Sequence, residues 1–593
     1  MSVDSQTTNS SPIENLITEH INIWSSAIKR KSSSGRGSSK KIELYGIKKL
    51  RELILELAVR GKLVPQDPND EPASVLLERI AHEKAQLVKD GKIKKPKKLP
   101  DITEDEKTFE LPKGWEWARL GDVCSFINGF AFKSNTFQDS GVGIVKIGDI
   151  SFSGEITPET MSRVSNTVVA DLDDSFKVEI DDLVIAMSGA TTGKLGFNRT
   201  NEVFYLNQRV GKFIPYQIDL NYLYLPLTTK ISENLAKSIG SAIPNLSTVQ
   251  INEIIFALPP TEEQRRIVAK VDELTALYDQ LEAQTESSLD AHQTLVTVLL
   301  DTLVNSQNAE ELAENWTRIS GNFDTLFTTE QSIDQFKQTI LQLAVMGKLV
   351  PQDPNDEPAS ALLERIAAEK AELIKQGKIK KQKPLPPISE DEKPFELPEG
   401  WECERVGTFC LVGTGATPSR SNSAYWSSAQ YNWVSSGETS KLYISDTNEK
   451  ISELAVKETN VTVYPTGTLI VAMYGQGKTR GQVSELLHPA GTNQACAAIQ
   501  LVEKDIFHKD YVKLFFLKSY NELREFAAGG AQPNLNVAKV ANTIVPIPPL
   551  PEQHRIVAKV DQIMAICDQL KAQLSEAQTT QLNLADALVE QAL

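Results

Sequence analysis

One fourteen-residue segment, Gly61-Lys-Leu-Val-Pro-Gln-Asp-Pro-Asn-Asp-Glu-Pro-Ala-Ser74, recurs unchanged at residues 347–360. Chance does not produce such an identity, so the chain folds as two copies of one plan. The match continues at the same offset of 286. Leu76-Leu-Glu-Arg-Ile-Ala81 pairs with residues 362–367, and Gly91-Lys-Ile-Lys-Lys95 with 377–381. Phe109-Glu-Leu-Pro112 pairs with 395–398, and Gly114-Trp115-Glu116 with Gly400-Trp401-Glu402. A long interior then diverges, leaving only islands. Ala186-Met187 matches Ala472-Met473, and Asn207-Gln208 matches Asn493-Gln494. Identity returns at Pro259-Pro260 and Glu263-Gln264-x-Arg266-Ile-Val-Ala-Lys-Val-Asp272, against Pro548-Pro549 and residues 552–561. The offset there is 289, so the two interiors differ by a net three residues. Each copy is a shared frame around an interior that changed its surface and kept its size.

The frame reads as helical. Apolar residues at helical spacing predict a short amphipathic helix over 13–28. The Ser/Gly-rich, basic tract at 31–41 reads as a flexible tether. Helices are predicted over 47–59 and 333–345, each stopped by a glycine, Gly61 and Gly347. Another covers 73–89, with its partner in the second copy. The interiors read as strand-rich, with buried strands at 183–187, 203–206 and 469–473 and a helix over 511–526. After Pro260, Thr261 and Gln264 have the spacing of a capping box. Ile267, Val271, Leu274, Tyr278 and Leu281 then step by 4, 3, 4, 3. Ile556, Val560, Ile563, Cys567 and Leu570 repeat that rhythm, so each stretch carries a heptad seam of about three turns of the repeat.

Composition excludes several classes. The 593 residues are 40% hydrophobic and 24% charged, enough for sizeable cores. Five scattered cysteines with no C-x-x-C argue against disulfides or a structural zinc site. No apolar run is long enough for a membrane span, and no signal-peptide pattern opens the chain, so a cytoplasmic location is expected. Lys and Arg number 62 against 78 Asp and Glu, a net charge of −16. That balance opposes a sequence-blind nucleic-acid coat. Residues 113–258 and 399–547 carry only −4 and −1 of it, so most of the acidity lies in the frame and the N-terminal segment.

The order of these motifs resembles the specificity subunit of type I restriction–modification enzymes, over nearly the whole chain. The resemblance rests on Gly-Trp-Glu opening each variable interior and on Pro-Asn-Leu-Ser247 or Pro-Asn-Leu-Asn536 closing it. Pro-Pro, Glu-Gln-x-Arg-Ile-Val and a heptad helix follow. Gly413-Thr-Gly-Ala-Thr-Pro-Ser-Arg420 with Tyr425-Trp426 is a further shared opening segment. The resemblance implies an α+β fold. Two strand-rich mixed α/β target-recognition domains would be joined by long helices forming an antiparallel coiled coil, with a pseudo-twofold internal repeat. The expected divisions are an N-terminal helix and linker at 1–45, frame segments at 46–112 and 332–398, and recognition domains at 113–258 and 399–547. Conserved helices at 259–310 and 548–593 and a connector at 311–331 complete the plan.

The resemblance also implies a non-catalytic reader of double-stranded DNA, each domain reading half of an asymmetric bipartite site. Expected partners are two modification subunits and the restriction subunits. S-adenosylmethionine, ATP and Mg²⁺ are expected on those partners and none in this chain. The residues agree in part. Gly189-Ala-Thr-Thr-Gly193-Lys194 departs from a phosphate loop in glycine spacing and in having Leu195 after the Lys, and Gly475-Gln-Gly-Lys478-Thr479 lacks the first glycine at the needed distance. Asp105-Glu-Lys107 and Asp391-Glu-Lys393 read as solvated linker charge. The six histidines form no metal pair. Candidate DNA contacts are Lys133, Ser134, Lys146, Lys194 and Arg209 in the first domain, and Arg420, Tyr425, Lys478 and Arg480 in the second. Trp115 and Trp401, identical in both halves, read as frame packing. A second reading, from a different class, is a tandem protein-interaction scaffold.

Neither interior is basic, so partner subunits are expected to supply much of the phosphate neutralisation. Gel-shift titration of the isolated chain is expected to show weak, non-selective DNA binding that becomes selective when the modification subunit is added. Tight specific binding by the isolated chain contradicts this.

Overall fold

The computed structural model describes residues 12–30, 42–151, 153–189, 191–237, 245–475, 479–528 and 535–593. The basic tract at 31–41 lies outside them. The chain divides into two compact units, one of Met1–Ser288 with Ala577–Leu593 and one of Leu289–Glu576.

In the first unit, the N-terminal segment forms two short helices, Pro12–Glu19 and Ile21–Ser26, where one was expected. His20 leaves helical geometry, and the second helix folds back so that the buried Trp24 indole donates to the Leu16 carbonyl. Helix α1 (Tyr45–Val59) buries Ile47, Leu50, Leu53, Ile54 and Leu57, one face at helical spacing. It stops at Gly61, whose φ of +68° suits a residue without Cβ. Helix α2 (Ala73–Lys89) follows.

The interior begins with β1 (Glu116–Arg119) and ends with β9 (Ile255–Leu258). These pair antiparallel, Glu116 opposite Leu258, so the domain opens and closes on one ribbon. Between them run β2 (Cys124–Asn128), β3 (Val142–Val145), β4 (Ser162–Val164), β5 (Leu183–Ala186), β6 (Leu195–Phe197), β7 (Phe204–Leu206) and β8 (Val210–Pro215), then helix α3 (Leu220–Lys237). One sheet has the order β6-β5-β8-β2. The other centres on β3, with β4 antiparallel on one side and β7 parallel on the other. All four residues of β5 are buried, which explains its unbroken apolar run. Helix α4 (Thr261–Val304) then runs for 44 residues.

The second unit repeats the plan. Helix α5 (Glu330–Val345) stops at Gly347, φ +70°, and α6 (Ala359–Lys375) follows. Strands β10 (Glu402–Arg405) and β18 (Ile544–Ile547) form the closing ribbon, Glu402 opposite Ile547. Inside are β11 (Cys410–Thr414), β12 (Tyr431–Val434), β13 (Glu449–Ile451), β14 (Leu469–Ala472), β15 (Val483–Leu486), β16 (Ala490–Thr492) and β17 (Cys496–Leu501). The order β15-β14-β17-β11 reproduces the first sheet, and β12 again pairs parallel with β16 and antiparallel with β13. The edges differ. Phe137–Gln138 and Lys177–Val178 flank the β3 sheet, whereas Tyr443–Ile444 extends the sheet of β14. The helix expected over 511–526 is two, α7 (Ile506–Lys518) and Tyr520–Ala528, parted at the buried Ser519. Helix α8 (Leu550–Ala592) has 43 residues.

The long helices run well past their heptad seams. Residues 282–288 carry no large apolar side chain and no Gly or Pro, so nothing stops the helix. A new apolar face then starts at Val296, Leu300 and Leu303, all buried. In the first unit, Ile267, Val271 and Leu274 are buried and Tyr278 and Leu281 pack beside them, in one core with α1. The Arg51 guanidinium of α1 lies 4.5 Å from the Tyr278 ring and donates to Asp279 at 2.7 Å. In the second unit, Ile556, Val560, Ile563 and Cys567 are buried and Leu570 is partly so, in one core with α5. Lys571 of α8 pairs with Asp334 of α5 at 2.8 Å. Each seam therefore serves the core of its unit.

The repeated lysine that follows each stop glycine caps a helix end. Lys348 Nζ donates to the carbonyls of Val304 and Ser306 at 2.9 and 3.0 Å, where α4 ends. Lys62 Nζ donates to the main-chain oxygen of Leu593, just past the end of α8. A cation at a helix C-terminus meets the negative end of the dipole.

A Cβ at Gly61 would lie 2.6 Å from Pro112 Cγ and 2.8 Å from Trp115 Cζ2, and one at Gly347 would lie 2.7 Å from Pro398 Cγ. Gly61→Ala and Gly347→Ala are each expected to lower the unfolding free energy by about 1–3 kcal/mol, since both strain and crowding oppose the methyl group. Denaturant titration checks this, and unchanged midpoints contradict it.

Candidate nucleic-acid interface

Each interior is held at its neck by the motifs that recur. Trp115 Nε1 donates to Glu263 Oε2 at 3.0 Å, and Trp401 Nε1 to Glu552 Oε2 at the same 3.0 Å. Both indoles and both carboxyls are buried, so Gly-Trp-Glu and Glu-Gln-x-Arg are two halves of one joint. Arg266 reaches Asp70 at 2.6 Å, and Arg555 reaches Asp356 at 2.7 Å, which ties the long helix to the fourteen-residue repeat. Gln264 Nε2 donates to the Pro259 carbonyl at 3.0 Å and its Oε1 accepts from the Asp219 N–H at 3.2 Å. The expected capping box of Thr261 and Gln264 is therefore not formed. Helix α4 begins at Thr261, one residue earlier than a Thr261 cap requires, and Gln264 is spent on the neck. Gln553 repeats the arrangement, bonding the Pro548 carbonyl at 2.8 Å and His508 Nδ1 at 2.9 Å.

A second joint corrects the reading of the acidic linkers. Asp105 and Asp391 are exposed, as expected of solvated charge. Glu106 and Glu392 are not idle: they bind the buried guanidiniums of Arg119 and Arg405 at 3.0 and 2.8 Å. Each arginine also donates to a linker carbonyl, Pro100 at 2.6 Å or Pro386 at 2.9 Å. It donates again to the Glu253 or Asn542 carbonyl just before the closing strand, at 2.9 and 3.1 Å. One buried cation thus pins the linker to both ends of the interior. Lys84 and Lys370 add a clamp, donating to the carbonyls of Gly121 and Gly407 at 2.9 and 2.7 Å.

Above the necks, the surviving islands of identity converge. The Asn207 N–H donates to the Val145 carbonyl at 3.1 Å, and Met187 N–H to the Arg209 carbonyl at 2.9 Å. Likewise Asn493 donates to Val434 at 3.0 Å and Met473 to Ala495 at 2.8 Å. The Asn-Gln turn therefore joins the two sheets in each domain, between β7 and β8 or β16 and β17. A glycine approaches it from β2 or β11. A Cβ at Gly129 would lie 2.2 Å from the Asn207 carbonyl oxygen, and one at Gly415 would lie 1.6 Å from that of Thr492.

The predicted contacts distribute unevenly around this turn. Arg209 is exposed on it, and Lys133 and Ser134 are exposed on the segment that follows Phe130. A bridge between Phe130 and Asn207 brings those two places together. Lys146 is half-buried, donates to Ser162 Oγ at 2.7 Å and lies 3.9 Å over the Phe137 ring, so it braces a sheet edge. Lys194 is half-buried in the Gly189–Gly193 turn. In the second domain, Arg420 pairs with Glu449 at 2.8 Å and stacks 3.9 Å from the Trp426 ring, and the carboxylate holds its guanidinium protonated more firmly than usual. Tyr425 donates to Glu458 at 3.1 Å. Arg480 is half-buried, and Lys478 lies outside the described residues. Sequence reasoning passed over the exposed Phe130, Gln208 and Gln494. The Asn-Gln identity was the signal that marks the glutamines.

Residues 112–291 and 398–577 each match the family described as type I restriction modification DNA specificity domain. The chain is 42% identical to the type I restriction enzyme EcoEI specificity subunit of Escherichia coli, covering 98% of this chain and 100% of the relative. It is 43% identical to the EcoAI specificity subunit of the same organism, with the same coverage. To the EcoBI specificity subunit it is 22% identical, over 82% of this chain and 86% of the relative.

The neck carboxyls titrate abnormally. Burial pushes Glu552 up to about 7, against partial relief from the Trp401 hydrogen bond and Arg555, and burial also raises Glu263. A folded value above the unfolded one, 4.5, adds stability that is complete below about 4.5 and is lost as pH rises through about 7. The wild-type unfolding free energy is therefore expected to fall across that window relative to Glu552→Gln, which keeps an acceptor for Trp401 and cannot ionise. Parallel pH profiles for the two proteins contradict this.

Proposed function

The chain belongs to the type I restriction–modification DNA specificity family, as a specificity subunit with two recognition domains, and from that premise we propose how it divides its work. Residues 113–258 read one half of a bipartite, asymmetric DNA site, and residues 399–547 read the other. The observation that carries this is a pair of domains with one strand order and one neck but different surfaces. Phe130, Lys133 and Arg209 surround the shared turn in the first domain, whereas Arg420, Trp426 and Tyr425 form an ion-paired aromatic cluster in the second. Two identical readers suit a palindrome; two different readers on one frame suit two different half-sequences. Arg and Lys side chains at such edges address guanine or phosphate.

The chain works as the non-catalytic member of its complex, in the cytoplasm. The duplicated, exposed strip that runs from Pro65 to Pro72 and again from Pro351 to Pro358 offers equivalent docking sites to two modification subunits. Those subunits hold S-adenosylmethionine and methylate adenine, and restriction subunits supply the ATP- and Mg²⁺-dependent cleavage. Near-neutral recognition domains fit this division, because the partners then contribute the positive charge that phosphates require.

Exchanging residues 113–258 for the corresponding interior of another specificity subunit tests the proposal. The expected outcome is that half of the methylated sequence changes while the other half persists. A scaffold without DNA specificity would change protein partners and leave the methylated sequence untouched.

A further inference from the structure

Two recognition domains that diverged nearly everywhere have kept Asn207-Gln208 and Asn493-Gln494 at one place in the fold. The asparagine's main chain has a structural role that any residue could fill. Its N–H closes the junction between the sheets, and its carbonyl accepts from Val210 at 2.8 Å or from Cys496 at 3.3 Å. Asn493 Oδ1 also accepts from the Ala495 N–H at 3.0 Å. The two glutamine side chains share no partner within their domains. Both glutamines are exposed at the tip of the turn, so no core selects them. Gln208 has no side-chain hydrogen bond to the described residues. Gln494 accepts from Thr417 Oγ1 at 2.6 Å through Oε1, which leaves its amide hydrogens pointing to no described acceptor and fixes the amide's orientation.

The neighbours of the glutamines differ between the domains. Arg209 follows Gln208, whereas Ala495 follows Gln494, and Ala131 stands where the second domain has Thr417. A group that persists while the residues around it change contacts something that persists between the two half-sites. The base sequence differs between halves under the functional reading; the sugar–phosphate backbone does not. Glutamine amides are ordinary donors to phosphate oxygens, and such bonds set register without carrying sequence information. Resting on that reading, we propose that Gln208 and Gln494 donate equivalent hydrogen bonds to DNA phosphates and so seat each recognition domain in the same register on its half-site.

The turn is built for this. It projects where the two sheets meet, and Gly129 or Gly415 lets the preceding strand run against its backbone without a side chain between them. The exposed Lys133 and Arg209 lie on the same edge of the first domain and the Arg420 cluster follows Thr417 in the second, so base-reading side chains would be placed by the phosphate contact.

The test uses the full chain assembled with its modification subunit, with Gln208→Ala, Gln494→Ala, Gln208→Glu and Gln494→Glu. Equilibrium binding to target duplex is read by fluorescence anisotropy, alongside the methylated sequence and the thermal midpoint. Each alanine variant is expected to bind about tenfold more weakly, with each glutamate variant weaker still. The methylated sequence and the midpoint are expected to stay as in wild type. Gln494→Glu is the sharpest case, since it keeps the acceptor for Thr417, removes the donors and sets a negative charge against the phosphate. Unchanged affinity in both glutamate variants overturns the inference. So does a changed base preference in the half-site read by the altered domain, which would make the glutamine a base reader. A wild-type complex with no sequence preference overturns the functional reading itself, and this inference with it.

Discussion

Everything else in this chain depends on a buried tryptophan–glutamate joint, made once by Trp115 and Glu263 and again by Trp401 and Glu552. The indole stands at the start of the recognition domain and the carboxyl near the start of the long helix after it. One bond therefore fixes where the domain leaves the frame and where it returns. Around it, Arg266 and Arg555 bind the repeat strip, and Arg119 and Arg405 bind the linker. Buried polar groups of this kind are costly unless fully paired, so they tolerate little variation. That cost explains why the frame sequences stayed identical while the domains they hold did not.

The same separation explains how function can change without loss of fold. The strand order β6-β5-β8-β2 recurs as β15-β14-β17-β11, although few residues match between them. A sheet needs apolar residues at buried positions, and many sequences satisfy that requirement. The loops above the sheets are free of it. Surface residues can change there while the neck, the helices and the strip over 65–72 and 351–358 remain as they were.

Much of this was legible in the sequence for identifiable reasons. Helices α1, α2, α5 and α6 announce themselves by periodic leucine and isoleucine and by stop glycines, all local signals. Strands β5 and β14 do so by unbroken apolar runs. What escaped depends on partners distant in sequence. Glu106 looks like linker charge because nothing near it shows that Arg119 will be buried against it. Gln264 has the spacing of a cap, but Asp219 and Pro259 claim its amide. Arg420 looks available until Glu449 and Trp426, brought alongside by β13 and the turn before β12, engage it. The seam residues announce a helix and not its length, because residues 282–288, without a large apolar side chain, continue a helix as readily as they end an apolar stripe.

The central claim is that this chain sets the sequence at which its complex acts. Single-molecule methylome sequencing of cells with and without the gene, in the presence of an active modification subunit, measures that most directly. The account predicts one bipartite, asymmetric motif that is methylated with the gene and unmethylated without it. An identical methylome in both strains would contradict it.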